Sequence, residues 1–267
     1  MNKIGFIGGG KMATAILKGI INSHWCSCDD IIVSDRNEDA LNELNSNYNV
    51  KTTIHNVEVV KNAKILLFAV KPFVLRDVLN EIKPFITKEH VILSIAAGIS
   101  IKTIEDIVGD IPVIRIMPNT PALVNEGMSA ICNGTHAKSE HSHTALTIFS
   151  SIGKVIESEE KYIDVITAIS GSGPAFYYYI IDEIAKAGEK LGLDYQTCLT
   201  LSAQTALGAA KMIMKSGTNP EQLITNVTTP GGCTAVGNEV LKEMKISDIL
   251  SVTIEKTAKK AYELGKN

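Results

Sequence analysis

Several features that would assign the chain to a familiar class of protein are scarce or missing from its 267 residues. Aromatic residues make up only 5% of the chain, and no apolar run approaches the roughly 18 residues that a membrane-spanning helix needs. A basic excess is missing too, since the net charge is -3 and the isoelectric point is near 6.1. Proteins that bind nucleic acids or membrane surfaces usually present a basic patch. The composition therefore disfavours both classes.

Cysteine is also scarce, with five residues scattered along the chain. An odd, dispersed set does not form a disulfide framework. Cys26 and Cys28 lack a second ligand pair at zinc spacing, and Cys233 has no histidine nearby in sequence to activate it, so we predict neither a metal site nor a thiolate nucleophile. The chain enters a strand within its first residues and shows no signal-peptide cleavage pattern, which favours a cytoplasmic protein.

The first half alternates short apolar strands with helical patterns. The strand Ile4–Ile7 runs into the motif Gly8-Gly9-Gly10-Lys11-Met12-Ala13, which is G-x-G-x-x-A, and Ile31–Val33 is a second strand that closes a βαβ unit. In such a motif the first glycine makes the turn, the second admits a pyrophosphate, and the small third residue lets the helix pack on its strand. The pattern predicts a Rossmann dinucleotide-binding domain in which Gly8, Gly10, Lys11 and Met12 contact the cofactor.

The residues after the second strand, Ser34-Asp35-Arg36-Asn37, should select the cofactor. An acidic residue at this place binds a ribose 2′-hydroxyl, whereas an arginine accommodates a 2′-phosphate. Both types are present, so the choice stays open. If Ser34 and Arg36 hold the phosphate, Asp35 turns outward or caps the next helix. We favour NADP(H) and keep NAD(H) as the alternative.

Three further strands end in small or proline-containing segments. Ile65–Val70 ends at Lys71-Pro72, Val91–Ile95 ends at Ala96-Ala97-Gly98, and Val113–Met117 ends at a segment with two prolines. Ligands of open α/β sheets bind at the carboxyl ends of the strands, where small residues would leave room for a nicotinamide ring, although a tightly packed strand end is the alternative. The cofactor contacts predicted along this edge are Ala69, Val70, Lys71, Pro72, Ala97 and Gly98.

After Lys161 the apolar spacing changes from two to 3.6 residues, which indicates helices. One stripe runs from Phe176 to Leu191 at helical spacing, and the next helix, which carries apolar residues from Leu199 to Ile213, is rich in small residues on more than one face. About 105 residues cannot bury several such helices well without a partner. We therefore predict an α/β chain with a Rossmann domain over residues 1–160 and an all-helical dimerisation and substrate domain over residues 161–267.

Thr228-Thr229-Pro230-Gly231-Gly232-Cys233-Thr234 forms a glycine-rich loop in the helical half. Pro230 restricts φ, the glycines permit positive φ, and the loop delivers Thr234 to the start of a helix. The unpaired N–H groups at a helix N-terminus suit an anion such as a carboxylate. An ordinary turn with a threonine N-cap has the same pattern, so the loop alone does not decide between the two.

Taken together, these segments resemble pyrroline-5-carboxylate reductase, the last enzyme of proline synthesis, over essentially the whole chain. Ser170-Gly171-Ser172-Gly173-Pro174-Ala175 and Pro230-Gly231-Gly232-x-Thr234 carry the resemblance more specifically than the Rossmann motif does. Two positions depart from the family pattern. Cys233 stands where threonine or alanine is usual, and Asn238 stands where an aliphatic residue is usual.

The resemblance implies reduction of 1-pyrroline-5-carboxylate to L-proline with NAD(P)H, by a homodimer that often assembles into a decamer. It also implies roles for individual residues. Thr234 would hydrogen-bond the imine nitrogen as the candidate proton donor, and the backbone of Gly231, Gly232, Cys233 and Thr234 would hold the carboxylate. Further contacts implied by position are Glu160 to the substrate, Asn226 near the nicotinamide, and Ser34, Arg36 and Asn56 at the adenosine ribose and its 2′-phosphate.

Two other functions fit parts of the sequence. A β-hydroxyacid dehydrogenase shares the fold, but its catalytic lysine has no counterpart here, because the segment that begins at Pro174 contains no lysine until Lys186. Imine reduction makes no such demand, because the protonated imine is already a cation and its reduction needs no strong general acid. Positioning of the substrate and anchoring of its carboxylate would then be enough for catalysis. The second alternative is a protein that binds NADP(H) as a sensor and catalyses no reaction. The loop at Thr234 disfavours it, because a sensor would not need a second ligand site.

Overall fold

The computed structural model describes residues 2–265, which form two compact units. The first unit runs through Ser172 and resumes at Thr257, and the second is Gly173–Lys256. This division differs from the predicted boundary at residue 160, because the segment that follows it and the end of the last helix both belong to the first unit.

The first unit contains eight strands and the helices that connect them. The strands are β1 (Asn2–Ile7), β2 (Ile31–Ser34), β3 (Lys51–Thr53), β4 (Ala63–Phe68), β5 (Val91–Ser94), β6 (Val113–Met117), β7 (Gly127–Asn133) and β8 (Gly153–Glu157). The helices are α1 (Lys11–Asn22), α2 (Glu38–Tyr48), α3 (Asn56–Asn62), α4 (Pro72–Ile82), α5 (Ile101–Val108), α6 (Ser139–Ser150) and the short α7 (Ile163–Ile166). The predicted strand over Ile65–Val70 ends two residues early, because the chain turns at Ala69 towards the start of α4.

The eight strands form one sheet in the order β3-β2-β1-β4-β5-β6-β7-β8. The pairs from β3 to β6 are all parallel, β7 runs antiparallel to β6, and β8 runs parallel to β7. The order 3-2-1-4-5-6 is that of a Rossmann fold, in which the chain reverses direction of winding between β1 and β4. The predicted α/β fold is confirmed.

The sheet is buried on both faces, which explains the nearly continuous apolar runs of its parallel strands. Successive residues point to opposite sides. Phe6 packs with Leu67 and Phe149 on one side of the sheet, whereas Ile7 packs with Phe68 on the other. Because β1, β2, β4 and β5 are parallel, their carboxyl ends lie together along one edge of this packed sheet.

The second unit is helical, as the periodicity predicts. Its helices are α8 (Gly173–Lys190), α9 (Tyr195–Ser216), α10 (Pro220–Asn226), α11 (Cys233–Glu243) and α12 (Ile246–Gly265), the last of which continues into the first unit. The predicted N-caps are present, since Asp194 accepts a hydrogen bond from the Thr197 N–H and Asn219 accepts one from the Gln222 N–H. Just before α8, a π-helical turn over Thr167–Gly171 occupies the place where the glycines and proline predict a kink or a helix start.

The apolar stripe of the second unit is not buried within the unit. Ile184 is 57% exposed and Ile213 is 51% exposed, and both line an apolar groove between α8 and α9 with a volume of about 730 Å³. Such a surface on a folded chain marks an interaction site. Among residues 2–265, no helix combines the length and the apolarity needed to cross a membrane.

Candidate active site

The glycine motif forms a tight turn at the end of β1. Gly8 has φ +104°, and a Cβ there would lie 2.8 Å from the backbone of Ala69. Its N–H donates to the Ser34 carbonyl oxygen at 2.8 Å, which ties the turn to the end of β2. Only glycine combines this backbone conformation with so close an approach to the neighbouring strand.

Beyond the turn, α1 begins with unpaired donors. Gly10 is the N-cap and supplies no side-chain hydrogen bond. In the part of the chain that the structure describes, the N–H groups of Gly10, Lys11 and Met12 have no acceptor. A Cβ on Gly10 would meet nothing within 4 Å. The start of α1 therefore combines an accessible backbone, free N–H groups and a helix dipole, as binding of a pyrophosphate requires.

Asp35, the acidic residue after β2, is engaged by the backbone. Its Oδ2 accepts a hydrogen bond from the Gly9 N–H at 2.7 Å, and its Oδ1 accepts one from the Asn37 N–H at 2.9 Å. Asp35 thus neither turns outward nor caps the next helix, contrary to the prediction. The cap of α2 is Asn37, whose Oδ1 accepts from the N–H groups of Asp39 and Ala40. Both carboxylate oxygens of Asp35 therefore brace the glycine turn.

Ser34 and Asn56 meet at the end of β2. The Ser34 hydroxyl donates to Asn56 Oδ1 at 2.9 Å, and Ser34 is fully buried. The Ser34 hydroxyl therefore orients Asn56, and the predicted contact of Ser34 with the phosphate stays a prediction. Asn56 is half-buried and Arg36 is exposed, and Arg36 has no ion-pair partner within residues 2–265. Asn56 and Arg36 remain the accessible donors here.

The loops after β4 and β5 lie along the same edge as the glycine turn. The Ala69 N–H donates to the Ile7 carbonyl oxygen and the Ile95 N–H donates to the Phe68 carbonyl oxygen, which align these strand ends with that of β1. Lys71 is the N-cap of α4 and Pro72 its first residue. The other residues predicted to contact the cofactor here are Val70, Ala97 and Gly98, which lie in these two loops.

Together these features fit a dinucleotide. The first unit presents a cradle at Gly8 and Gly10, free donors at the start of α1, and exposed Arg36 beside the end of β2. No group of three or more residues able to hold a metal ion is found over the described range 2–265.

Glu160 belongs to the first unit and contacts Arg115 of β6. Its Oε1 accepts from Arg115 Nη1 at 2.8 Å and from the Ile101 N–H at 2.8 Å, so it also caps α5. The Arg115 side chain is 8% exposed and that of Glu160 is 30% exposed. Both residues line a pocket of about 410 Å³ that also includes Gly98 and Tyr262. The structure therefore gives Glu160 a role in holding β6 and α5, and its predicted contact with the substrate stays a prediction.

Two of the thiols, those of Cys26 and Cys132, are made less acidic by burial. Burial raises the pKa of Cys132 to about 11, despite the nearby Arg115, and burial likewise raises the pKa of Cys26 to about 11. Both thiols are therefore protonated near neutral pH, which makes them poor nucleophiles.

In the second unit, Thr229–Gly232 forms a turn immediately before α11. The Gly232 N–H donates to the Thr229 carbonyl oxygen at 2.9 Å, and Gly231 has φ +73°. A proline in the second position followed by a glycine at positive φ is the signature of a type II turn. The turn makes Gly232 the N-cap of α11 and places Thr234 in its first turn, exposed to solvent.

The start of α11 has the properties of an anion site. The N–H groups of Gly231, Cys233 and Thr234 have no acceptor in the described part of the chain, and Gly232 provides no side-chain cap. Three free donors at the positive end of a helix dipole can bind a carboxylate. The prediction that the loop delivers Thr234 to a helix start is thus confirmed.

Asn238, one of the two departures from the family pattern, contacts the loop. Its Nδ2 donates to Thr228 Oγ1 at 3.0 Å, so α11 is tied to the residue that precedes the turn. Cys233, the other departure, is exposed. Asn226 lies at the end of α10, where its Oδ1 accepts from Gln222 Nε2 at 2.8 Å.

The predicted site residues thus form two groups. The predicted dinucleotide residues other than Asn226 lie along one edge of the first unit, whereas Asn226 and the loop of Thr234 belong to the second unit. The structure also reveals two contacts that the sequence analysis missed, from Arg115 to Glu160 and from Glu81 of α4 to Asn56. Each pair is at least 25 residues apart along the chain, and no local pattern signals such pairing.

Two protein-family models match the chain. The one described as pyrroline-5-carboxylate reductase dimerisation matches residues 160–264, and the one described as NADP oxidoreductase, coenzyme F420-dependent, matches residues 3–98. The first match begins at Glu160, close to the predicted start of the helical domain.

Comparison with individual proteins gives full-length matches. The chain is similar to pyrroline-5-carboxylate reductase of Methanosarcina acetivorans, with 38% identity over 99% of this chain and 98% of the relative. Among solved structures, a pyrroline-5-carboxylate reductase from Coxiella burnetii matches with a TM-score of 0.93 and 33% identity, over 98% of each chain. A pyrroline carboxylate reductase from Plasmodium falciparum, solved with NADP bound, matches with a TM-score of 0.88 and 32% identity, over 99% of this chain and 98% of that one.

Proposed function

Because the chain belongs to the pyrroline-5-carboxylate reductase family, it reduces 1-pyrroline-5-carboxylate to proline with NAD(P)H, and we propose that Thr234 and its loop form the substrate site. The observation that supports this most directly is the set of free N–H groups at Gly231, Cys233 and Thr234, at the start of α11. The substrate carries a carboxylate, and these donors suit it.

NADP(H) serves this enzyme as its cofactor, with NAD(H) as an alternative. We propose that the N–H groups of Gly10, Lys11 and Met12 hold the pyrophosphate. Arg36 and Asn56 would then hold the 2′-phosphate, since Asp35 already accepts two backbone hydrogen bonds and is less able to accept ribose hydroxyls. The loops at Ala69–Pro72 and at Ala97 and Gly98 would border the rest of the cofactor.

The reaction needs a hydride donor, a correctly held imine and little else. When bound, the reduced nicotinamide supplies the hydride that is added to the imine carbon. The loop backbone anchors the substrate carboxylate and so fixes the ring relative to the protein. The Thr234 hydroxyl donates a hydrogen bond to the imine nitrogen, which makes the imine carbon more electrophilic as the hydride is added, and the same hydroxyl can supply the proton that the nitrogen gains.

We further propose that the enzyme acts as a homodimer whose interface includes the groove between α8 and α9. The second unit leaves Ile184, Leu201 and Met214 largely exposed, and the family model that matches this region is one of dimerisation. Assembly of dimers into a decamer is a further proposal that rests on the family resemblance. A cytoplasmic location is proposed because all five cysteines are free thiols, as in reducing compartments.

The test is oxidation of NADPH, followed by absorbance, with 1-pyrroline-5-carboxylate as substrate. For Thr234→Val we expect kcat to fall by about 100-fold, as when a donor that acts on the reacting group is removed, with NADP⁺ binding unchanged. Thr234→Ser keeps the hydroxyl and is the matched control, for which kcat should stay within about tenfold of the wild-type value.

Full activity of Thr234→Val would remove the proposed role of the hydroxyl. If the wild-type enzyme bound NADP⁺ but turned over no 1-pyrroline-5-carboxylate, the assignment of the substrate site would fail altogether.

A further inference from the structure

A chain of two hydrogen bonds connects β2, α3 and α4 at the proposed 2′-phosphate site. The Ser34 hydroxyl donates to Asn56 Oδ1 at 2.9 Å, and Asn56 Nδ2 donates to Glu81 Oε2 at 2.9 Å. The ionised carboxylate of Glu81 can only accept hydrogen bonds. It therefore orients the Asn56 amide with Oδ1 towards Ser34 and Nδ2 towards α4.

This orientation leaves one donor for a ligand. The amide nitrogen carries two hydrogens, and one of them is used by Glu81. The other has no acceptor anywhere in the described span 2–265. A ligand oxygen bound there would lie about 5 Å from the Glu81 carboxylate, since the two N–H bonds diverge by about 120°.

Glu81 is thus a negative charge next to the place where the 2′-phosphate would bind. A phosphate bound by Asn56 would be repelled by this carboxylate, whereas the neutral 2′-hydroxyl of NAD(H) could be tolerated. Asp35, the acid that follows β2, is held by the N–H groups of Gly9 and Asn37. The carboxylate expected to lie nearest the 2′ position of the ribose is therefore that of Glu81 in α4, and not that of Asp35 after β2.

We infer that Glu81 is a specificity-determining residue that weakens the preference of this enzyme for NADP(H) over NAD(H). The inference rests on the proposed role of Asn56 at the ribose and refines it. Arg36 attracts the 2′-phosphate and Glu81 opposes it, so the ratio of the two affinities reflects both residues. Removing the charge of Glu81 should raise the preference for the phosphorylated cofactor.

The experiment compares Glu81→Gln with the wild-type enzyme by titration calorimetry with NADP⁺ and with NAD⁺. Because the side chain is exposed and the charges are screened by salt, we expect NADP⁺ to bind about fivefold more tightly, and NAD⁺ binding to change by less than about twofold. The KM values for NADPH and NADH should change in the same ratio. An isosteric change at an exposed position should leave the melting temperature almost unchanged.

Glu89→Gln is the matched control. It removes the same charge from the same unit. However, Glu89 pairs with Lys64 at the amino end of β4, whereas the cofactor residues lie at the carboxyl ends of the strands. Its ratio of NADP⁺ to NAD⁺ affinity should equal that of the wild type. Equal changes for both cofactors in Glu81→Gln, or weaker binding of NADP⁺, would overturn the inference.

Arg36→Ala separates this inference from the proposed function. We expect it to weaken NADP⁺ binding by about tenfold and to leave NAD⁺ binding nearly unchanged, since it removes a charge-assisted contact to the phosphate. Equal losses for both cofactors would refute the role of Arg36. Whatever the result for Arg36→Ala, the inference about Glu81 is decided by the ratio of NADP⁺ to NAD⁺ affinity measured for Glu81→Gln.

Discussion

The two units of this enzyme bury their apolar side chains very differently. In the first unit, Phe6, Phe68 and Phe149 are fully buried against both faces of one sheet. Between Gly173 and Lys256, the buried side chains are small ones, namely Ala185, Cys198 and Ser202. Several large apolar side chains of the helical unit, including Ile184 and Leu201, remain more than half exposed.

The difference shows that secondary structure and burial are separate problems. The helices of the second unit form where caps and periodicity predict them, and α8 packs against α9, but Ile184 and Ile213 in the groove between them stay more than half exposed. A helix draws most of its stability from tertiary packing. The first unit thus buries its large apolar side chains by itself, whereas the second leaves apolar surface that the proposed dimer would cover.

The largest effect that would test this contrast is a charge in the groove of the second unit. Ile184→Asp places an unpaired carboxylate in the proposed interface, which costs several kcal/mol of association free energy, so we expect a monomer and a loss of activity of about 100-fold or more. Light scattering measures the mass, and NADPH oxidation measures the activity. A fully active dimer formed by this variant would contradict the proposed interface.

The counterpart in the first unit is Leu67→Ala, near the carboxyl end of β4. Leu67 is fully buried, and truncation should lower the free energy of unfolding by about 2–5 kcal/mol. At 25 °C the variant should remain dimeric. The difference in free energy of unfolding between the variant and the wild-type enzyme should be the same at low and at high protein concentration. For Ile184→Asp, in contrast, stability should rise with concentration as association is restored.

A smaller effect is expected from Glu160→Gln, which tests how the first unit satisfies a buried charge. Arg115 would lose its carboxylate partner, and the free energy of unfolding should fall by about 2–3 kcal/mol, because a buried guanidinium without a partner is costly. If Glu160 acts only through Arg115 and α5, the KM for 1-pyrroline-5-carboxylate should stay within about twofold. A tenfold rise in KM at unchanged stability would instead support the substrate contact that the resemblance implies.

The smallest effect should come from Asn238→Leu, which removes the hydrogen bond from α11 to Thr228. A neutral hydrogen bond at a partly exposed position contributes about 0.5–1.5 kcal/mol, so we expect the melting temperature to fall slightly and the KM for the substrate to rise by about twofold to fivefold. Thr228→Ser, which keeps the hydroxyl, is the control. If both values were unchanged in Asn238→Leu, the loop would be rigid without this bond.

Much of the fold could be predicted because its signals are local. The apolar strands, the glycine motif at Gly8–Ala13, the caps at Asp194 and Asn219, and the turn before Thr234 each depend on residues within a few positions of one another. The strand at Ile65–Val70 was predicted too long, because an apolar run does not show where the backbone leaves the sheet.

The cofactor edge was predicted less completely. Asp35 was expected to turn outward or to cap α2, yet it bonds to Gly9, 26 residues earlier in the chain. The hydrogen bond from the buried Ser34 hydroxyl to Asn56, 22 residues later in the chain, has no local signal either. These outcomes depend on which strands become neighbours, and a single sequence does not display that.

By itself, the sequence determined the two kinds of region and the glycine loops proposed to bind cofactor and substrate, because helix and strand periodicity, caps and glycine turns are properties of short segments. The tertiary structure decided which polar side chains pair, as in Asn56 with Glu81 and Arg115 with Glu160. These partners are 25 and 45 residues apart, respectively. Only the packing of helices and strands around the sheet brings such distant groups within hydrogen-bonding distance.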